Sequence, residues 1–407
     1  MTEMRPLGSL IQLDEAKELV SEHVPPIEGV EEVDLEGALH RVLAEEVVST
    51  LDIPPYDRAA MDGYAVRAED TFTADRSSPV GLECVSVVHA GSVPQASVEE
   101  GKCIQIATGA MLPRRADAVV KVEETEREGD TVYLTKPVHP SAHVSKRGED
   151  VSNDQRVLSA QDLLVPSKVG VLAAIGRERV KVYKKPWVAV MPTGDEVAPV
   201  GTELREGQVY DINSHTLSSI LRENGCLPNL YPVVRDDRDS LTEVLTRAAS
   251  HSNMIVLSGG SSAGERDVLV DVIEELGQVI FHGVQMKPGK PTIFGSIDDV
   301  PIFGMPGYPT SCLTNGYVFL VDAARQMARL PPRRDMTVEV PIAKKFYSQL
   351  GRHQFLTVAI REGEAVPVFK ESGTITSIAY ADGWIGIPYN VDLIEKGTPV
   401  TVHLFDR

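Results

Sequence analysis

Apolar and polar positions along the chain fall into three textures. From about residue 182 to residue 330, apolar runs of strand length alternate with amphipathic stretches of helical period. Trp187-Val188-Ala189-Val190-Met191 is apolar throughout, the pattern of a parallel strand buried on both faces. Behind it the pattern predicts a helix over 213–223, with Asn213 or Ser214 as N-cap and Gly225 closing it. Then follow a strand over 230–234, a helix over 240–250, a strand over 254–258, a helix over 266–276 and a strand over 279–284. A hairpin (292–295 with 300–304) leads into a long helix over 309–328. Strands alternating with helices predict a doubly wound parallel sheet with helices on both faces.

The N-terminal third is mixed. Residues 14–24 read as a helix with an acidic first turn, stopped by Pro25-Pro26. Residues 34–48 read as a second helix, since Leu35, Leu39, Val42 and Leu43 recur on one face. From Ile53 to about Val180 the chain is turn-rich with short β-like runs, among them Val85-Ser86-Val87-Val88 and Ala118-Val119-Val120-Lys121-Val122. After Pro331-Pro332 apolar and polar residues alternate between turns, the pattern of a small β-barrel or sandwich.

Composition narrows the function classes. The 407 residues suffice for two to four domains with substantial cores. The formal charge of −19 argues against a nucleic-acid or membrane-surface partner, because both require a basic face. The four cysteines (Cys84, Cys103, Cys226, Cys312) contain no C-x-x-C pair and read as reduced thiols. With no 18-residue apolar run and no signal-peptide pattern, the expectation is a soluble, cytoplasmic protein.

Candidate chemistry collects at the ends of the predicted α/β strands, where such sheets bind ligands. Three turns begin there: Pro192-Thr193-Gly194-Asp195-Glu196, the glycine-rich stretch from Ser258-Gly259-Gly260 to Gly264-Glu265-Arg266-Asp267, and Gly304-Met305-Pro306-Gly307-Tyr308-Pro309. Glycine lets backbone N–H groups approach an anion, and Lys287 and Lys290 around Pro288-Gly289 supply neutralising charge. Neither glycine turn carries a P-loop lysine, which argues against NTPase chemistry. Asp195, Glu196, Asp236, Asp237 and Asp267 suit Mg²⁺, which takes one or two carboxylates plus substrate oxygens and waters. Taken singly, Asp236-Asp237 could simply start a helix, and Glu265 or Asp267 could cap one. Solvated lysines and a plain strand-to-helix turn are the bland alternatives for the rest.

At this point the chain resembles a known family. Ala60-Met61-Asp62-Gly63-Tyr64-Ala65-Val66, Ala107-Thr108-Gly109-Ala110, Arg147-Gly148-Glu149-Asp150 and Pro192-Thr193-Gly194-Asp195-Glu196 look like the motifs of the MoeA-type molybdopterin molybdenumtransferases, relatives of the C-terminal part of gephyrin. Ser258-Gly259-Gly260 with Gly264-Glu265-Arg266-Asp267, Lys287-Pro288-Gly289-Lys290-Pro291 and Pro306-Gly307-Tyr308-Pro309 continue the resemblance in order. It implies an elongated homodimer of four-domain chains: a discontinuous linker domain (1–52 and 148–181), a protruding β-rich domain (53–147), a MogA-like molybdopterin-binding α/β domain (182–330) and a β-barrel (331–407).

The resemblance also implies an activity: insertion of molybdate into adenylylated molybdopterin, with Mg²⁺ and release of AMP, in a pocket between the α/β domain of one chain and N-terminal segments of the other. By that likeness Asp62, Thr108, Glu196 and Asp267 are catalytic. Arg147, Ser258, Gly259, Gly260, Gly264, Lys287, Lys290, Pro306 and Pro309 bind substrate, and Glu196, Asp237 and Asp267 hold the metal. Ala59 and Tyr308 depart from the family's frequent serine and asparagine. A non-catalytic molybdopterin-binding scaffold, a molybdopterin adenylyltransferase and a tungstate-inserting enzyme are the alternatives.

Overall fold

The computed structural model describes residues 10–259, 268–368 and 374–405. Its contacts divide the chain into two compact units, one of residues 32–39 and 43–180, the other of residues 1–31, 40–42 and 181–407.

The first unit is built on a six-stranded sheet. Its strands are β1 (Gly63–Val66), β2 (Val80–Val88), β3 (Lys102–Ile106), β4 (Ala118–Lys121), β5 (Thr125–Glu128) and β6 (Thr131–Leu134), in the order β4-β1-β3-β2-β6-β5. Period-2 patterning puts Tyr64, Val66, Cys103 and Val120 in one core and Ala65, Ile104, Ile106 and Val119 in another, on opposite faces. Gly63 enters β1 so close to β4 that a Cβ would fall 1.9 Å from the Val120 carbonyl oxygen.

No helix forms over 34–48. The strand Val30–Asp34 ends in a turn, and the chain then runs on without helix to the short strand Val47–Val48. Asp34 Oδ1 accepts from the Gly37 N–H at 2.8 Å, and His40 takes a positive φ. A side chain that competes for backbone donors, followed by a poor helix former, outweighs an apolar spacing that happens to match 3.6.

The second unit contains the α/β region. Strands β7 (Trp187–Pro192), β8 (Leu227–Leu230), β9 (Met254–Ser258), β10 (Gly277–His282), β11 (Ile293–Ile297) and β12 (Val300–Met305) form one sheet in the order β8-β7-β9-β12-β11-β10. Helices α1 (Leu13–His23), α2 (Asn213–Glu223) and α5 (Pro309–Asn315) pack with Val188, Val190, Val256, Phe303 and Met305. Helices α3 (Arg238–Ala249) and α4 (Val268–Leu276) cover the opposite face, against Ala189, Met191, Ile255, Leu257 and Ile302.

Three expectations need correction here. The sheet is not wholly parallel: β8, β7, β9 and β12 are, while β11 and β10 pair antiparallel. Asp298 and Asp299, both at positive φ, make the tight turn that folds β11 back on β12. The strand expected at 230–234 lies at Leu227–Leu230, because Pro232 offers no N–H; pairing resumes only as a bridge between Thr193 and Val234. Helix α2 takes its cap from neither Asn213 nor Ser214. Asp211 does this, accepting from the Ser214 N–H at 3.0 Å and from its hydroxyl.

The C-terminal β-module consists of β13 (Thr337–Pro341), β14 (His353–Arg361), β15 (Glu364–Pro367), β16 (Gly383–Ile387) and β17 (Pro399–Leu404) around Leu356, Val358, Ile385 and Val402. Its sheet runs β14-β16-β17-β13, with β15 beside β14. A short strand from the α/β region, Met286–Lys287, joins its edge parallel to β14, opposite His353 and Gln354.

Candidate functional site

Strands β7, β9 and β12 end level, with Pro192 opposite Ser258 and Ser258 opposite Met305. The chain leaves β7 for the sheet edge at β8 and returns to the other side of β7 at β9. This reversal makes a topological switch point, where diverging connections open a crevice at the carboxyl ends. The Thr193 N–H donates to the Ser258 carbonyl at 2.9 Å, and the Gly259 N–H to the Met305 carbonyl at 3.1 Å. Gly259 has φ +103°, and a Cβ there would sit 2.4 Å from the Thr193 carbonyl oxygen. A Cβ on Gly307 would lie 3.6 Å from Gly259 Cα, so the first and third turns both abut the second with little but backbone between.

Two buried polar atoms at this edge find no partner among the described residues: Thr193 Oγ1 and Asn213 Oδ1, on residues 2% and 9% exposed. Asn213 is anchored through its other amide atom, Nδ2 donating to the Gly307 carbonyl at 2.8 Å. Two such groups left unpaired at a strand-end crevice suit a place where a ligand completes the hydrogen bonding.

Acids gather beside these turns. Burial, then the charges of Glu196, Asp195 and Asp237, push the Asp236 carboxyl above the usual range. Asp237 is held below that range by the Ser240 N–H and hydroxyl, both at 2.9 Å, as it caps α3. The acid facing Glu196 is therefore Asp236, which the expected metal set omitted. Among the described residues no three His, Cys, Asp or Glu side chains group to hold a metal. Mg²⁺ needs only one or two carboxylates, and Glu196 with Asp236 is a hard-oxygen pair of that kind. Gly260, Gly264 and Asp267 lie outside the described residues. Because Asp237 caps α3, Asp237→Ala is expected to cost about 1 kcal/mol in a denaturant titration.

The Lys287–Lys290 loop is anchored from below. Gly289 has φ +105°, and a Cβ there would come 2.1 Å from Asn315 Oδ1. Thr292 Oγ1 donates to the Gly289 carbonyl at 2.7 Å, and Asn315 Nδ2 reaches both groups. Both lysines are half-buried, and neither ammonium pairs with a described carboxylate. Pro306 follows β12 directly, and Pro309 opens α5.

In the other unit, Thr108 donates its N–H at 2.7 Å and its hydroxyl at 2.9 Å to Asp62 Oδ1. These bonds hold the Asp62 carboxyl below the usual range, so it is an anion and an acceptor at neutral pH. Asp62 lines a cavity of about 230 Å³ with Tyr64, His89, Gln105 and Ala107. His89 and Gln105 were missed because nothing in their neighbourhood departs from ordinary strand-edge sequence. Arg147 donates through Nε to Asp52 at 2.6 Å and through its N–H to Asp57 at 2.9 Å. Its charge is compensated in part by Asp52, which weakens it as an oxyanion receptor. A cavity of about 750 Å³ opens at the amino ends of the strands around Trp187, Lys184 and Asp298, away from the switch point.

Comparison with known proteins bears on both units. Residues 11–176 match the MoeA N-terminal region (domain I and II), 189–326 a probable molybdopterin binding domain, and 339–405 the MoeA C-terminal region (domain IV). A molybdopterin molybdenumtransferase of Nostoc is 30% identical, over 91% of this chain and 87% of its own. Two solved MoeA structures from Pyrococcus horikoshii superpose with TM-scores of 0.84 and 0.83 at 40% and 33% identity, each covering 98% of this chain and all of the other. The chain belongs to the MoeA family of molybdopterin molybdenumtransferases.

Family membership makes it an enzyme of the transferase class, in molybdenum cofactor biosynthesis. The molybdopterin-binding match holds the three strand-end turns and the lysine loop, and the MoeA N-terminal match holds Asp62, Thr108 and Arg147. Among the described residues no helix is long and apolar enough to cross a membrane.

Proposed function

We propose that this chain inserts molybdenum from molybdate into adenylylated molybdopterin, releasing AMP, and that it works as a cytoplasmic homodimer. The observation that carries the reading is the switch-point crevice: three backbone-lined turns, two orphan buried polar atoms and an acid pair, all within the molybdopterin-binding match. Glycine turns admit phosphate oxygens to backbone N–H groups, and Lys287 and Lys290 neutralise them locally. Local capture is needed because the net charge of −19 repels a dianion at long range.

Glu196 and Asp236, together with Asp267, would hold Mg²⁺. When bound it supplies Lewis-acid polarisation of phosphoryl oxygens. The dithiolene sulfurs are the ligand's own nucleophiles, so the protein's work is positioning and charge compensation. Asp62, kept ionised by Thr108, accepts hydrogen bonds from the ligand side rather than donating a proton.

The test is direct. Purified protein with adenylylated molybdopterin, Mg²⁺ and molybdate should release AMP, and Asp267→Asn should release far less while unfolding normally. AMP release unaffected by that change would remove Asp267 from the mechanism; consumption of ATP with release of pyrophosphate would replace the reading with adenylyl transfer. Asp62→Asn, which keeps shape but loses the anion, is expected to slow AMP release at least about ten-fold. Parallel titrations with molybdate and tungstate, tetrahedral dianions of nearly equal size, measure which oxyanion is preferred. Light scattering of the purified protein tests the dimer.

A further inference from the structure

Cys84 and Cys103 lie side by side in the sheet of the first unit. Strands β2 and β3 run parallel there, with Cys84 in register opposite Cys103. Both side chains pack in the same core, on the same sheet face, with Leu82, Val120 and Val132. Neighbouring strands are about 4.8 Å apart, inside the roughly 4.4–6.8 Å Cα separation a disulfide spans. The ladder slips by one residue directly after Cys84, leaving Val85 without a partner on β3 and the strand locally free to adjust.

The two thiols are also unequal. Cys84 is half-buried, whereas Cys103, Cys226 and Cys312 are buried. Arg127 lies close enough to Cys84 for their charges to interact. Burial, with the nearby Cys84 thiol, pushes the Cys103 thiol up to about 12.

We propose that Cys84 and Cys103 form a thiol–disulfide pair, bridged by reaction with a small-molecule disulfide such as oxidised glutathione. The Cys84 thiolate attacks one sulfur of the oxidant, breaking its S–S bond and expelling one thiolate. The Cys103 sulfur, losing its proton to solvent, then attacks Cys84 Sγ of the mixed disulfide and expels the second. Two protein thiols are oxidised by two electrons, and one oxidant disulfide is reduced to two thiols. The first step belongs to the accessible, cation-flanked sulfur. The second is slower because Cys103 is buried, and it quickens as pH rises. The bridge would pin β2 to β3 only a few residues from Val87, Val88, Gln105 and Ile106, which line the cavity beside Asp62.

The experiment treats the full native chain with oxidised glutathione at neutral and mildly alkaline pH, followed by non-reducing peptide mapping and intact mass. Expected are a Cys84–Cys103 cross-linked peptide, loss of two hydrogen masses, and reversal by dithiothreitol. Cys226→Ser and Cys312→Ser should not affect the cross-link, and Cys84→Ser should abolish it. Because the wild-type map alone decides the point, a poorly folding variant does not blunt the test. Glutathione persisting on Cys84 with Cys103 free at both pH values, or no modification of either, overturns the proposal.

Discussion

Gly259→Ala is expected to lose molybdopterin binding and about 3 kcal/mol of stability in equilibrium denaturation. Two costs combine. A side chain at φ +103° strains the backbone by on the order of 1–3 kcal/mol. The new methyl would lie 2.4 Å from the Thr193 carbonyl, and overpacking of that kind costs a further ~1–3 kcal/mol. The carbonyl cannot simply move aside, because Thr193 is tied to Ser258 by its own N–H. Gly307→Ala is the matched control. Its Cβ would meet Gly259 Cα at 3.6 Å, an ordinary contact, and its φ is not positive. It should change stability by under about 0.5 kcal/mol. Equal losses in the two variants would mean that the close approach at Gly259 is not what holds the turns together.

Glu196→Gln is expected to reduce AMP release about 100-fold, the scale seen when one preorganised electrostatic group is removed. On the proposed Mg²⁺ site, adding Mg²⁺ should raise the Tm of the wild type and leave that of the variant unchanged, a readout independent of turnover. Without Mg²⁺ the same variant should be more stable than wild type at neutral pH. The sign follows from Asp236, whose carboxyl burial and neighbouring acids raise above its usual range. A raised carboxyl penalises the folded state when ionised, and the penalty vanishes as pH falls through the folded-state value. Removing the Glu196 charge relieves part of it, so the variant's advantage should shrink on acidification. A variant less stable than wild type in Mg²⁺-free neutral buffer would show that Glu196 supports the fold instead.

How much of this was legible in sequence depends on the kind of signal. The β7 run from Trp187 to Met191 announced a strand buried on both faces, and the glycine turns fell at strand ends as expected. Asp62 and Thr108, 46 residues apart, were paired through resemblance alone; strand β1 delivers the first and β3 the second, which no local pattern reveals. The 34–48 stretch misled because a side-chain hydrogen bond at Asp34 leaves no trace in hydrophobic period. Asp236 and Asp237 are adjacent, and sequence offers no means of telling which faces Glu196; the cap at Ser240 settles it. The β11–β12 hairpin formed as its turn residues indicated, whereas β10, expected within a parallel sheet, pairs antiparallel with β11.

The short strand Met286–Lys287 gives the lysine loop two owners. Its backbone begins on the edge of the C-terminal sheet, beside His353 and Gln354, while Gly289 and Thr292 fasten the rest to α5. The C-terminal module is therefore a splint for the Lys287–Lys290 loop. A chain ending near residue 330 would keep every strand-end turn and the Asn315 anchor, yet Met286 and Lys287 would lose their backbone pairing with His353 and Gln354. Cutting the chain at that boundary would therefore loosen the start of the Lys287–Lys290 loop.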